Sequence, residues 1–238
     1  MKKIFVFITF LMAGQLAFAQ GQLPDSVMMK LNGRVSFGIE AGYTQSGFYG
    51  KDKDSVSSNG KTTSIPGFHI GLIANTSLTK IFSLQHELML TQKGARVSKY
   101  DANNQLYSTQ LKMLTLDLFP ATPTFKFGGF EVFAGPYLSM LVNGHYRLKD
   151  AQGNFYNHQI FGTPDQLGQT EKYLEKIDYG LNAGIAYEYK AYTIRAKYVR
   201  GFAEVLDDPY ALNVGNPKTS IDVYNQYFTI TLAYRLWK

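Results

Sequence analysis

The amino-acid sequence predicts an all-β protein, an eight-stranded antiparallel up-and-down transmembrane β-barrel. Three observations predict it: an export signal at the N-terminus, eight segments in which apolar and polar residues alternate, and connections that are alternately long and short. Alternation with a period of two is typical of a strand with one apolar face. About ten residues are enough for a tilted strand to cross a bilayer.

The N-terminus has the three parts of a cleavable secretory signal peptide. Lys2 and Lys3 form a short basic region, residues 4–12 are almost continuously apolar, and Ala17-Phe18-Ala19 is a small-x-small cleavage site. The apolar run is about half of the roughly 20 residues that a transmembrane helix needs. The chain is therefore expected to divide into a signal peptide (1–19), a flexible leader (20–32) and a barrel domain (33–238).

The composition narrows the class of protein. The chain has no cysteine, which excludes disulfide frameworks and thiolate metal sites. It has 17 Tyr and 17 Phe, residue types that favour strands. Removal of the signal peptide leaves 22 basic and 18 acidic residues, a net charge of +4 that mildly favours acidic surfaces such as lipid headgroups. Because the sequence contains no Lys/Arg run and no nucleic-acid motif, nucleic acid is not an expected partner.

Eight segments keep the period of two, with large apolar residues on one face and small or polar residues on the other. The fourth segment is expected to end at Pro120, because proline cannot donate a hydrogen bond to the ladder. The predicted strands are residues 34–43, 67–77, 82–93, 110–119, 130–142, 178–189, 192–200 and 226–236.

The connections between these strands alternate in length. Short connections are expected near residues 78–80, 120–129 and 190–191, and the four others are long. Outer-membrane barrels have short periplasmic turns and long outer loops. An even number of strands then places both chain termini on the periplasmic side.

The two faces of the strands distinguish a membrane barrel from a soluble, lipocalin-like one. The polar faces combine Gly and Ser with charges of both signs, which suits a narrow interior, whereas the apolar faces carry aromatic residues toward their ends. We therefore expect an integral protein of the bacterial outer membrane. The expected interior charges are Glu40, Glu87, Glu131, Asp178, Glu188, Arg195, Lys197 and Arg235. The expected aromatic girdle at the water–lipid boundary is Tyr43, Tyr187, Tyr189, Tyr192 and Tyr234.

The interior charges allow two interpretations. An eight-stranded barrel is just wide enough to be filled by its own side chains, which favours a structural ion-pair network. A narrow, porin-like channel would instead need a continuous water path past Glu40, Asp178, Glu188, Arg195 and Arg235.

Candidate catalytic groups are few, and we expect no enzymatic activity. A lipid-modifying enzyme of the outer membrane would need a histidine or carboxylate constellation near the outer rim. His69 and His145 are expected near that end, where Ser64 or Ser139 could approach them. The other histidines are expected on the lipid-facing side, for His86, and in the longest connection, for His158.

Loop carboxylates raise the possibility of a cation site, since hard cations prefer oxygen ligands. The candidates are Asp52, Asp54, Asp207 and Asp208, but their spacing is not that of a calcium-binding loop. Gly180 and Gly184 lie in a strand rather than in a phosphate-binding turn before a helix. The sequence therefore assigns no catalytic residue, no cofactor and no metal.

Four segments of the chain carry strand motifs that recur in one family of membrane barrels. The run FSLQHELMLTQKGA, residues 82–95, resembles the FSLQPELLYSQKGA strand of PorT-like outer-membrane β-barrels of the Bacteroidetes type. The chain departs from the pattern at His86, where the family usually has Pro, and loosely matches its fourth strand. The chain ends in Leu236-Trp237-Lys238, whereas many outer-membrane barrels end in Phe. The other matching segments, in the same order, are residues 67–72 (GFHIGL), 133–139 (FAGPYLS) and 178–184 (DYGLNAG).

The resemblance implies an integral outer-membrane barrel over residues 33–238 and brings no catalytic residue with it. The founding member of the family is associated with a protein-secretion apparatus. The expected function is therefore non-enzymatic and exerted through the long outer loops. The expected partners are outer-membrane lipid or lipopolysaccharide and a protein of an envelope or secretion complex.

Overall fold

A computed structural model describes residues 35–101, 103–149, 153–159, 174–206 and 222–237 of the chain. The predicted signal peptide and leader lie outside these residues. The nine strands are β1 Val35–Tyr49, β2 Thr63–Ser77, β3 Phe82–Tyr100, β4 Leu106–Phe127, β5 Phe130–Lys149, β6 Phe155–Gln159, β7 Ile177–Tyr189, β8 Tyr192–Glu204 and β9 Tyr224–Trp237.

Eight of these strands close into a ring. They are hydrogen-bonded in the order β4-β3-β2-β1-β9-β8-β7-β5, and the additional pairing of β4 with β5 closes the sheet. All of the pairings are antiparallel. Closure gives each ring strand a partner on both sides, which is how a sheet satisfies its backbone groups in a bilayer. The prediction of an eight-stranded antiparallel barrel is confirmed.

Tight turns join the strands at the end of the barrel where β1 begins and β9 ends. Gly128-Gly129 joins β4 to β5, and Lys190-Ala191 joins β7 to β8. The first residue of each turn has a positive φ, 63° at Gly128 and 58° at Lys190, as two-residue hairpin turns require. We call this end the inner, periplasmic end and the other the outer end.

Several strands extend further toward the outer end than the sequence pattern indicates. β3 reaches Tyr100 instead of residue 93, and Tyr100 pairs with Leu106 at the start of β4. Most of the predicted loop 94–109 is therefore a hairpin. β5 likewise reaches Lys149, and the short strand β6 pairs only with this outer part of β5. Outside the lipid the outward face of these strands is polar, so the apolar outward face that identifies the lipid-facing part of a strand does not continue there.

The expectation that the fourth strand ends at Pro120 is wrong, because β4 continues to Phe127. Pro120 lies between Leu118 and Thr124, where the register between β4 and β5 shifts. Such a bulge lets a strand accommodate a residue that cannot donate to the ladder. The Pro120 carbonyl accepts a hydrogen bond from Nδ1 of His86 on β3.

The outward face of the ring is a belt of large apolar side chains. Leu72, Ile185 and Ile194 are 59%, 61% and 60% exposed on this face, an arrangement that suits lipid and not water. The belt ends toward the outside at a row of paired residues, Gln92 on β3, Leu114 on β4 and Asn143 on β5, which we call the boundary row. Among the described residues, the structure has no helix long and apolar enough to cross a membrane.

Candidate functional site

The interior of the barrel holds a central cluster made of Glu40, Glu87, Arg195 and Lys197, all of which are buried. Arg195 donates from Nη1 to Glu40 Oε2 at 3.2 Å, and its Nη2 forms an ion pair with Glu87 Oε1 at 2.6 Å. Lys197 pairs with the second oxygen of Glu87. Buried charges are tolerated when they are paired in this way.

Aromatic rings and an amide complete the surroundings of this central cluster. The Arg195 guanidinium lies 4.7 Å from the centroid of the Phe133 ring, and Lys197 Nζ lies 3.8 Å from that of Phe119. Gln85 accepts from Arg195 Nη2 at 2.6 Å and donates to Glu131 Oε2 at 3.1 Å. The amide therefore links the central cluster to the groups nearer the periplasm.

An inner ion-pair layer closes the periplasmic end of the interior. Lys126 lies 2.8 Å from Glu131 and 3.5 Å from Glu188, which in turn pairs with Arg235 at 2.7 Å. A cavity of about 40 Å³ lies between this layer and Arg195, with room for a few water molecules. Glu188 and Arg235 are about a quarter exposed, as expected at the rim.

An upper cluster lies on the outer side of the central one. Lys93 pairs with Asp117 at 2.9 Å, and Asp117 also accepts hydrogen bonds from Ser139 at 2.6 Å and Tyr227 at 2.7 Å. Asp178 accepts hydrogen bonds from Tyr137, from Asn225 Nδ2 at 3.3 Å and from the Ala203 backbone N–H at 3.3 Å.

The outer mouth of the barrel is filled by an apolar cap. Its members come both from the strands and from the described parts of the outer connections, which therefore lie over the mouth. The buried residues of the cap are Phe48, Val56, Ala95, Val97, Leu111, Met113, Leu141, Leu174, Val205, Leu206 and Val223, and Tyr146 packs against them.

The structure places all eight predicted interior charges inside the ring, and it adds three that sequence analysis missed. Asp117 and Lys93 lie on the polar faces of two predicted strands, so the alternation of the sequence already assigns them to the interior. Lys126 lies beyond Pro120, where the bulge reverses which residues face inward; Phe119 is inward before it and Thr122 after it.

The predicted girdle tyrosines lie at two levels. Tyr187, Tyr189, Tyr192 and Tyr234 surround the inner end, where Tyr187 packs on Phe130 at 4.8 Å and Tyr192 on Tyr234 at 5.1 Å between ring centroids. Tyr43 lies near the outer end of the belt on β1. Further exposed aromatic residues at that outer level are Phe68, Tyr179, Tyr198 and Phe228.

His69 and His86 have hydrogen-bond partners within the described residues. His69 faces the interior, where its ring nitrogens lie 3.0 Å from Thr44 Oγ1 and 2.9 Å from Thr231 Oγ1. Ser64 accepts from Gln45 at 2.7 Å. In the part of the chain that the structure describes, neither His69 nor His145 is hydrogen-bonded to a serine or a carboxylate. The side chain of His158 lies outside the described residues.

The loop carboxylates bind backbone groups. Asp54 Oδ1 accepts from the N–H of Thr62 at 2.9 Å, and Asp52 Oδ2 accepts from the N–H of Asp222 at 3.2 Å. Within the described ranges, no group of three or more His, Cys, Asp or Glu residues could hold a metal ion. Asp207 and Asp208 lie outside the described residues.

Strands β3, β4 and β5 continue past the boundary row. Together with β6 they form a projecting sheet, which we call the outer extension (residues 94–100, 106–113, 144–149 and β6). β3 runs eight residues beyond Gln92, which corresponds to about 27 Å along the strand. The inward side of the outer extension packs on the apolar cap, and its outward side is free of the ring.

The sequence matches the family described as "Outer membrane protein beta-barrel domain" over residues 18–207, which is most of the chain. This chain belongs to that family. It is therefore an outer-membrane β-barrel protein, in agreement with the closed ring and its apolar belt. Among proteins with curated descriptions, none matches the sequence significantly.

Comparison with solved structures finds outer-membrane proteins at low sequence identity and with TM-scores below 0.5. Neisserial surface protein A is 12% identical, with 85% of this chain and 99% of that chain covered and a TM-score of 0.47. Ail of Yersinia pestis, in complex with a heparin analogue, is 13% identical, with 85% and 99% covered and a TM-score of 0.42. OprG of Pseudomonas aeruginosa is 10% identical, with 85% and 96% covered and a TM-score of 0.39. The fold assignment rests on the closed strand pairing and the family match.

Proposed function

We propose that this protein is a non-conducting, non-enzymatic outer-membrane barrel that binds a protein partner through its outer extension. In this proposal it is an accessory of an envelope or secretion complex, of the PorT-like type. The observation that carries the proposal is a contrast within one molecule. The interior is filled at three levels by paired polar groups and at its mouth by the apolar cap, while four strands project beyond the lipid.

The filled interior argues against transport. A continuous water path would require separating Arg195 from Glu87 or Lys93 from Asp117, both of which are buried. Breaking such a pair costs about 3–5 kcal/mol because it leaves a buried charge without compensation. A narrow channel is the alternative, and it requires these pairs to open.

The tip of the outer extension has the character of a protein-binding surface. Tyr100, Leu106, Phe155 and Tyr156 are each about half exposed there, beyond the level at which lipid could cover them. Exposed aromatic and aliphatic residues grouped in one region are typical of interaction sites. The partner that fits this surface best is a protein with an apolar patch of its own.

The PorT-like assignment is supported by the order of four strand motifs along the chain. Residues 82–95 supply much of β3, and residues 178–184 supply the start of β7, which includes the buried Asp178. These motifs build the barrel interior, so their similarity concerns the scaffold. An accessory role in secretion is the part of the proposal that depends on this resemblance.

Deletion and complementation in the source bacterium test the proposal. We expect the deletion strain to release less secreted protein into the medium, and the wild-type gene to restore release. The variant Y100S/L106S/F155S should reach the outer membrane and fail to restore it. A matched variant with three belt residues changed conservatively, I70V/L72V/I194V, should restore it. Normal secretion in the deletion strain would contradict the accessory role.

A further inference from the structure

The outward side of the outer extension carries a cluster of basic residues, which we call the basic face: the cations Arg96 on β3, Lys112 on β4 and Arg147 on β5, with His145 on β5 between them. Lys112 and His145 are directly paired across the strands. Directly opposed residues have their Cβ atoms about 5 Å apart. Arg96 lies two residues beyond Gly94, which is the partner of Lys112, and Arg147 lies two residues beyond His145. Both arginines are therefore on the same side of the sheet as Lys112 and His145.

The basic face lies immediately outside the lipid belt. Lys112 is two residues beyond Leu114 in the boundary row, and His145 is two residues beyond Asn143. Two residues of strand correspond to about 7 Å along a strand that is itself tilted. Below the row, the outward residues Leu116, Leu118 and Met140 belong to the belt. The cations are therefore at the level of the headgroups of the outer leaflet.

No carboxylate neutralises these cations within the described residues. The outward positions of β3, β4 and β5 beyond the boundary row are Gly, Arg, Lys, His, Gln, Ser, Tyr and Leu, without Asp or Glu. Arg96 and Arg147 are exposed, and the Arg147 guanidinium lies 4.9 Å from the centroid of the Phe155 ring. Burial and the positive charge of Lys112 lower the pKa of His145. The positive charge of this face thus contributes to the lowered pKa of His145.

We infer that the basic face binds the phosphate groups of an anionic glycolipid in the outer leaflet of the membrane. Arginine offers paired donors that match a phosphate, and lysine adds a point charge beside it. Apolar belt side chains directly below Lys112 would contact the acyl chains of the same lipid. One wall of the barrel thus has cations above and aliphatic residues below. A phosphorylated lipid would contact both groups, whereas a soluble anion would need only the cations.

The inference depends on the outward direction of β3 to β5 and not on the proposed protein partner. The basic face lies on the side wall next to the lipid, whereas Tyr100 and Leu106 lie at the tip. Phe155 contacts Arg147, so the double variant Y100S/L106S, which leaves Phe155 in place, alters the tip separately from the basic face. A variant that loses lipid binding and still supports secretion, or the reverse, distinguishes a failure of one proposal from a failure of the other.

Titration of the full mature protein, refolded in neutral detergent micelles, tests the inference. Diphosphoryl lipid A is the probe, and native mass spectrometry measures the bound fraction. We expect the variant R96Q/K112Q/R147Q to bind at least about tenfold more weakly, since each cation near an anionic headgroup contributes about fivefold. The charge-preserving variant R96K/K112R/R147K should retain most of the binding. The shift of the unboiled band on electrophoresis checks that each variant forms a barrel.

Three further measurements decide the nature of the site. The variant K61Q/K80Q/K190Q removes the same charge elsewhere and should bind like the wild type; equal losses in both triple variants would mean general charge attraction and overturn the site. Lipid A without phosphates should bind weakly, and equal binding would overturn the role of the phosphate. Inorganic polyphosphate should compete poorly; efficient competition would show a site for soluble polyanions instead of lipid.

Discussion

The guanidinium of Arg195 on β8 lies 2.6 Å from the carboxylate of Glu87 on β3, and three strands separate β8 from β3 around the ring. The pair therefore spans the lumen instead of joining neighbours in the wall. Both side chains are almost completely buried. A contact of this kind fixes the distance between opposite walls and occupies the path that a solute would take.

Removal of one partner of this pair should destabilise the barrel strongly. We expect R195A to lose about 3–5 kcal/mol of unfolding free energy, because Glu40 and Glu87 would remain buried with less compensation. Urea unfolding and refolding in detergent micelles, followed by the band shift on electrophoresis, measures the change. The double variant R195M/E87Q should lose less than R195A. A loss below about 1 kcal/mol for R195A would mean that water solvates the central cluster.

Truncation of a residue in the apolar cap should reveal how well the cap is packed. Leu111 is fully buried in the cap, so L111A should lose about 2–5 kcal/mol through lost burial and the resulting cavity. The matched variant L116A removes the same group from the lipid-facing side of the same strand and should cost less. Urea unfolding and refolding in detergent micelles measures both losses. Equal losses at both positions would show that the cap is not a packed core.

Chemical labelling should establish the direction of the barrel. Because the chain has no cysteine, single substitutions give labels without background. S108C lies on the outer extension and should react with a membrane-impermeant maleimide on intact cells. K190C lies in an inner turn and should react only after the outer membrane is opened. Reaction of K190C on intact cells would place the outer extension in the periplasm and overturn both proposals.

The pKa of His145 should respond to its neighbour on β4. Burial and the charge of Lys112 lower this pKa. We expect the pKa of His145 to lie below 6.5 in phosphate-free micelles and to rise in K112Q, since a positive neighbour disfavours the protonated form. Proton NMR titration, with H145Q to assign the signal, measures both values. An unchanged pKa of His145 in K112Q would mean that the side chains of residues 112 and 145 do not lie close together in solution.

The sequence allowed the barrel to be predicted wherever lipid imposes an apolar face. Strands β7 and β9 were located within about two residues of their bounds for this reason. The interior charges were visible from the same alternation. The signal peptide remains a prediction, because residues 1–34 lie outside the described part of the chain.

Three features escaped prediction for physical reasons. Pro120 resembles a terminator, yet a bulge accommodates it, and the parity change that follows hid Lys126. The outer extension has no lipid on its outward side, so its strands carry polar residues outward and apolar residues inward, which is the reverse of the alternation in the belt. The pairs across the lumen join residues far apart in sequence, such as Glu87 and Arg195, and nothing local indicates which charges meet.

Conductance in a planar bilayer tests the central claim most directly. The mature protein would be inserted into a neutral bilayer, with a general porin as the positive control. The filled interior predicts that the wild type shows no discrete current steps. Reproducible steps whose ion selectivity changes in R195Q or K197Q would contradict the closed interior and make the protein a narrow channel.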